Sequence, residues 1–120
     1  MRPPSKDEHL RKAEKNKSFA QSIKTDNATN IGWALVAAFY SALHFVDAFA
    51  AKYNTHFSSH TQRNAEVQRN PQLAPLRDDY RDLFTLGWNA RYTMRNYGAT
   101  EHEQGMASLK IVEDRIRALL

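Results

Sequence analysis

The sequence predicts an all-α protein: an antiparallel four-helix up-and-down bundle with an additional short helix between the second and third long helices. Three observations carry this expectation. Apolar residues recur at three- and four-residue steps through four long segments. Three segments open on a hydroxyl residue with Glu or Gln three positions later, namely Ser5 with Glu8, Ser59 with Gln62 and Thr100 with Glu103, the form of a capping box. No stretch alternates apolar and polar residues as a half-buried strand does.

Taken in order, the first helix is expected from about Lys6 to Lys24, with Leu10, Ala13, Ala20 and Ile23 as a narrow inward stripe to which Phe19 adds bulk. Asp26 and Asn27 end it and open the second, about Ala28 to Tyr53, which is apolar around most of its circumference and therefore central. A short helix follows over Ser59 to Arg69, and Pro71 stops it by removing an amide and disfavouring helical geometry just before the ring. Leu73, Leu76, Tyr80, Leu83, Phe84, Gly87 and Trp88 define one face of a third long helix, about Leu73 to Ala90. Met94 to Ala99 reads as a connection. From Thr100 a last helix carries Met106, Leu109, Val112, Ile116 and Leu119 inward.

A chain of 120 residues, 42% hydrophobic and 25% charged, fits one domain over 1–120 with a core of its own. The absence of cysteine excludes disulfides, thiolate nucleophiles and cysteine-ligated metal. No apolar leader opens the chain, so a cytoplasmic location is expected. The uncharged run from Asn27 to Val46 is interrupted by Asn30, Ser41 and His44, with Asp47 next to it, and mean hydropathy is −0.68; a membrane span is not expected. The net charge of +4 resides in residues 1–24, where seven bases face three acids, a distribution that suits either a solvated amphipathic helix or a phosphate-attracting one.

At about 100° per residue, Tyr40, His44 and Asp47 share one stripe of the apolar second helix. A phenol, an imidazole and a carboxylate there need partners, so the stripe is either a satisfied polar network, with Asp47 paired to an arginine, or a working site. Ser41, His44 and Asp47 are no hydrolase triad, because three side chains leaving one helix do not converge on a nucleophile with an oxyanion hole. Isolated glycines exclude a phosphate-cradling loop. No metal site or cofactor is expected; the best metal set, His44, Asp47 and His60, lacks the paired carboxylates of bundle enzymes. Candidate phosphate ligands are His60 and Arg63 at the start of the short helix and Arg91, Tyr92 and Arg95 at the exit of the third long one, since arginine forks match phosphate oxygens. The same arginines also suit helix capping and pairing with Asp78, Asp79 and Asp82.

The series His9-Leu10 with Ala13 and Asn16, Trp33-Ala34, Phe39-Tyr40-Ser-Ala-Leu-His44 with Asp47-Ala48, Ser59-His60-x-x-Arg63, Tyr80-x-x-Leu83 and Ala90-Arg91-Tyr92 resembles small prokaryotic members of the HEPN superfamily over essentially the whole chain. The resemblance implies a helical bundle that commonly dimerises. Many such domains are metal-independent ribonucleases of toxin, antiphage or CRISPR-associated systems, and others are non-catalytic binding modules.

Active members have four to six residues between an arginine, itself followed by a polar residue, and a histidine. Arg95, Asn96 and His102 match that spacing at its longest form, across Gly98. On this reading His102 moves the proton and Arg95 steadies charge on phosphorus. The rival set is His44 and Arg91, with Tyr40, His60, Arg63, Arg91 and Tyr92 holding phosphate. The expected partners are a second copy of the chain, RNA or a nucleotide, and a protein such as an antitoxin. The competing reading is a non-catalytic dimeric interaction or nucleotide-binding module.

Overall fold

The computed structural model describes residues 2–120, and among them there are helices and no strand. The helices are α1 (Lys6–Ser22), α2 (Ala28–Lys52), α3 (His60–Arg69), α4 (Arg77–Tyr92) and α5 (Ala99–Leu119), with a 3-10 segment, Pro71–Leu76, leading into α4. They pack into a body of 40 × 26 × 26 Å.

Local chemistry sets most of the boundaries. Ser5 and Glu8 form the expected reciprocal cap of α1. The Asn27 side chain accepts from the Asn30 amide at 2.9 Å and starts α2. Asn54 closes α2 in the left-handed region, φ 57°, which asparagine tolerates better than most residues. Two caps differ from the sequence reading. Ser59 caps α3 through the Gln62 amide, but the Gln62 side chain accepts from Ser58 rather than returning to Ser59. α5 starts at Ala99, not Thr100, because the Glu101 carboxylate reaches back to the Gly98 amide at 2.8 Å. The expected start of the third long helix at Leu73 also shifts. Pro71 and Pro75 withhold amides from the first turns, leaving a 3-10 segment there until the α-helix begins at Arg77.

α2 is the centre: α1, α4 and α5 all pack on it, and its residues from Ala34 to Ala50 are buried apart from Tyr40 and His44. By length and apolarity it could cross a membrane, yet 83% of its most apolar stretch is covered by the other helices. Small residues bring α1 close, with Ala13 and Ala20 buried and the Ser41 hydroxyl donating to the Ala13 carbonyl at 2.8 Å. Gly87 of α4 lies against Phe39, and Gly105 of α5 lies against Leu35. Lys17 and Arg117 meet Glu113 at 3.0 and 2.8 Å, and Arg117 also pairs with Glu14, fastening α1 to α5 at the surface. Phe19, expected inside, is exposed, because Ala20 takes the inward position beside it.

Candidate functional site

The polar stripe of α2 becomes a half-buried seam shared with α1, α3 and α4. At one end the His9 and His44 Nδ1 atoms are 3.1 Å apart, so one ring donates and the other accepts. Next along α2, Asp47 receives the Arg63 fork, Nε to Oδ1 at 2.7 Å and Nη2 to Oδ2 at 3.1 Å; only 8% of Asp47 and 7% of Arg63 is exposed. The remaining Arg63 nitrogen lies 3.3 Å from His60 Nδ1, which must be the acceptor because a guanidinium only donates. Tyr80 is buried within the field of this pair, its hydroxyl has no hydrogen-bond partner among the described residues, and burial pushes its phenol up.

Burial holds the His44 imidazole down at about 4, against the attraction of Asp47 and with help from His9, Lys12 and Arg63. His9 and His60 are also lowered, each chiefly by burial, so the seam holds neutral imidazoles at pH 7. Such rings can accept protons or donate lone pairs.

On the α4 side, Arg91 Nη1 donates to the Tyr40 hydroxyl at 2.6 Å, and the guanidinium carbon lies 5.8 Å from the Tyr40 ring centroid and 5.2 Å from that of Tyr92. Aromatic contacts continue through Trp88 on Tyr92 at 4.6 Å and Phe84 on Trp88 at 5.8 Å to His60. The ladder ends in solvent: Trp88 is 43% exposed and Tyr92 57%. Beside it, Gly32, Trp33, Arg91, Met94, Arg95 and Tyr97 line a groove of about 330 Å³ with no carboxylate among its lining residues.

The residues singled out in the sequence therefore fall into three places. Arg91, Tyr40 and Tyr92 come together. Arg63 and His60 come together as well, but Asp47 occupies most of the Arg63 fork. His44 turns toward α1, and no hydrogen bond joins it to Arg91. Arg95 is exposed in the joint between α4 and α5, with its amide donating to Thr93 Oγ1 at 3.1 Å; His102 is half-buried in the first turn of α5. No hydrogen bond joins their side chains.

Sequence reasoning missed His9 as the partner of His44. The available signal was its position four residues before Ala13, on the inward stripe of α1. It also missed Trp33 and placed Trp88 inside. Compared with models of known families, with curated proteins and with solved structures, the chain finds no match.

Proposed function

We propose that the chain is a HEPN-like antiparallel up-and-down bundle of four long helices that engages single-stranded RNA or a nucleotide phosphate in the cytoplasm. The antiparallel order is supported by pairings that run in opposite senses: His9 with His44 and Ala13 with Ser41, then Glu14 with Arg117 and Lys17 with Glu113.

The observation that carries the reading is the setting of Arg91. Its guanidinium gives one N–H to Tyr40 and rests over two rings, which leaves further donors for phosphate oxygens, while Trp88, Tyr92 and Trp33 offer exposed faces to bases. Stacking on such rings is worth about 1–3 kcal/mol per base and tolerates any sequence. Arg95 on the same groove adds charge, and His102 supplies the proton-transfer group of a metal-independent ribonuclease.

Fluorescence anisotropy with a labelled single-stranded RNA tests binding. Affinity is expected to fall steeply with salt and to drop in Arg91→Ala and Trp88→Ala. Cleavage is expected to persist in EDTA and to vanish in Arg95→Ala and His102→Ala; loss in His44→Ala and Arg91→Ala with His102→Ala active assigns it to the rival set. No binding at low salt refutes the reading.

One observation favours a second, non-catalytic role: Met94 is 97% exposed and Trp33 55%, an apolar surface suited to a second copy of the chain or a partner protein such as an antitoxin. Sedimentation is then expected to show a dimer that Trp33→Glu dissociates.

A further inference from the structure

We infer that His9, His44 and Asp47 form a binding site for a single borderline transition-metal ion, Zn²⁺ or Co²⁺, at the junction of α1 and α2. One ligand atom from each of the three lies within 4.8 Å of the others. The two imidazole nitrogens are already 3.1 Å apart. In a tetrahedral zinc site, with bonds of about 2.0–2.1 Å, neighbouring ligand atoms are about 3.3–3.4 Å apart. The histidine nitrogens therefore stand close to the spacing such an ion imposes; the two rings have to swing so that their lone pairs meet at one point, and the carboxylate has to close in.

Their present hydrogen bond does not oppose this. The proton shared between the two Nδ1 atoms moves to the Nε2 of its own ring, each imidazole stays neutral, and both Nδ1 lone pairs turn to the metal.

Asp47 is committed to Arg63 without being exhausted by it. The Arg63 fork takes one lone pair on each oxygen, and a carboxylate has about four acceptor positions. An arginine fixed in this way acts as the outer partner that orients a ligating carboxylate, although its charge weakens the site. Two nitrogens and one oxygen select Zn²⁺, Co²⁺, Ni²⁺ or Cu²⁺ over Mg²⁺ and Ca²⁺, with water completing the coordination. The set differs from the one the sequence favoured: His9 stands where His60 was expected, because His60 is drawn to Arg63. The inference does not rest on the RNA reading, since none of the three residues lies on the Arg91 face.

Co²⁺ titration of the full-length protein tests it, followed by visible d–d absorption. The expected result is one equivalent bound with tetrahedral band intensity, displaced by Zn²⁺ and unaffected by excess Mg²⁺. His9→Ala and His44→Gln should each weaken uptake at least tenfold, while His102→Ala and His56→Ala retain it. Should the substitutions unfold α1, imidazole NMR of the unaltered protein decides: Zn²⁺ must shift the His9 and His44 ring signals. An absence of uptake, tight binding that survives both substitutions, or unmoved His9 and His44 signals overturns the proposal.

Discussion

Asp47 and Arg63, sixteen residues apart in sequence, join α2 to α3 through both carboxylate oxygens, and this pair is the least exposed ion pair among the described residues. Removing one partner strands the other in a poorly hydrated place. Asp47→Asn is therefore expected to cost about 3–5 kcal/mol of unfolding free energy, read by urea denaturation. The double substitution Asp47→Leu with Arg63→Met should recover much of that loss, because an apolar pair of similar volume needs no compensating charge. A double variant as unstable as the single one speaks against the pair's being the cause.

The half-buried imidazole of α2 gives stability a defined pH dependence. His44 titrates at about 4 in the fold against an ordinary value of 6.5. The unfolded chain thus binds the proton first as pH falls, so stability declines from about pH 6.5 to about pH 4 and this contribution then levels off. Discounted for partial exposure, the loss is on the order of 2 kcal/mol, and His9, shifted the same way, adds to it. Urea unfolding between pH 7.5 and 4.5 in EDTA should show a shallower slope for His44→Gln than for the unaltered chain. Equal slopes exclude His44 as the source.

Two glycines make unequal contacts. A Cβ on Gly87 would come 2.7 Å from the Phe39 Cβ, an atom fixed to the α2 backbone; one on Gly105 would come 2.5 Å from Leu35 Cδ2, at the movable end of a side chain. Gly87→Ala must push α4 off α2 and is expected to destabilise by about 1–3 kcal/mol despite the better helix propensity of alanine. Gly105→Ala should cost less, since Leu35 can rotate. Thermal unfolding of the two variants compares them directly, and the reverse order is incompatible with this packing.

The aromatic setting of Arg91 separates charge from position. Arg91→Lys keeps the cation and loses the planar fork, Tyr40→Phe keeps the ring and loses the hydroxyl that anchors Nη1. RNA affinity is expected to fall about tenfold for the first, an effect on the order of 1.4 kcal/mol, and by less for the second. Anisotropy at one fixed salt concentration measures both, and an Arg91→Lys variant as tight as the unaltered protein removes the fork from the account.

Much of the all-helical architecture was legible because each long segment repeats its apolar residues at helical spacing, and α2 is apolar enough to have only one place in the fold. The expectation that Asp47 meets an arginine also follows from the sequence, since a buried carboxylate needs a partner. The pairing of His9 with His44 does not follow. Periodicity tells which face of α1 turns inward, but not how far along α2 that face is set, and the height comes from the seating of Ala13 under Ser41. Phe19 and Trp88 were misplaced for a related reason: a large apolar side chain is read as inward, whereas on this small body the inward positions beside them go to Ala20 and Gly87. Pro71 and Pro75 show the limit for boundaries, since their withheld amides change the helix type over a segment whose Leu73 and Leu76 side chains still face the core.

The chain has two tryptophans, Trp33 and Trp88, and both reach the surface near Arg91, Trp33 in the same groove and Trp88 against Tyr92, over whose ring the guanidinium lies. Intrinsic emission from this protein is consequently a reporter of what occupies that face and a poor one of whether the interior is intact. Native and denatured samples should differ little in colour, whereas a nucleobase laid on the indoles should quench them.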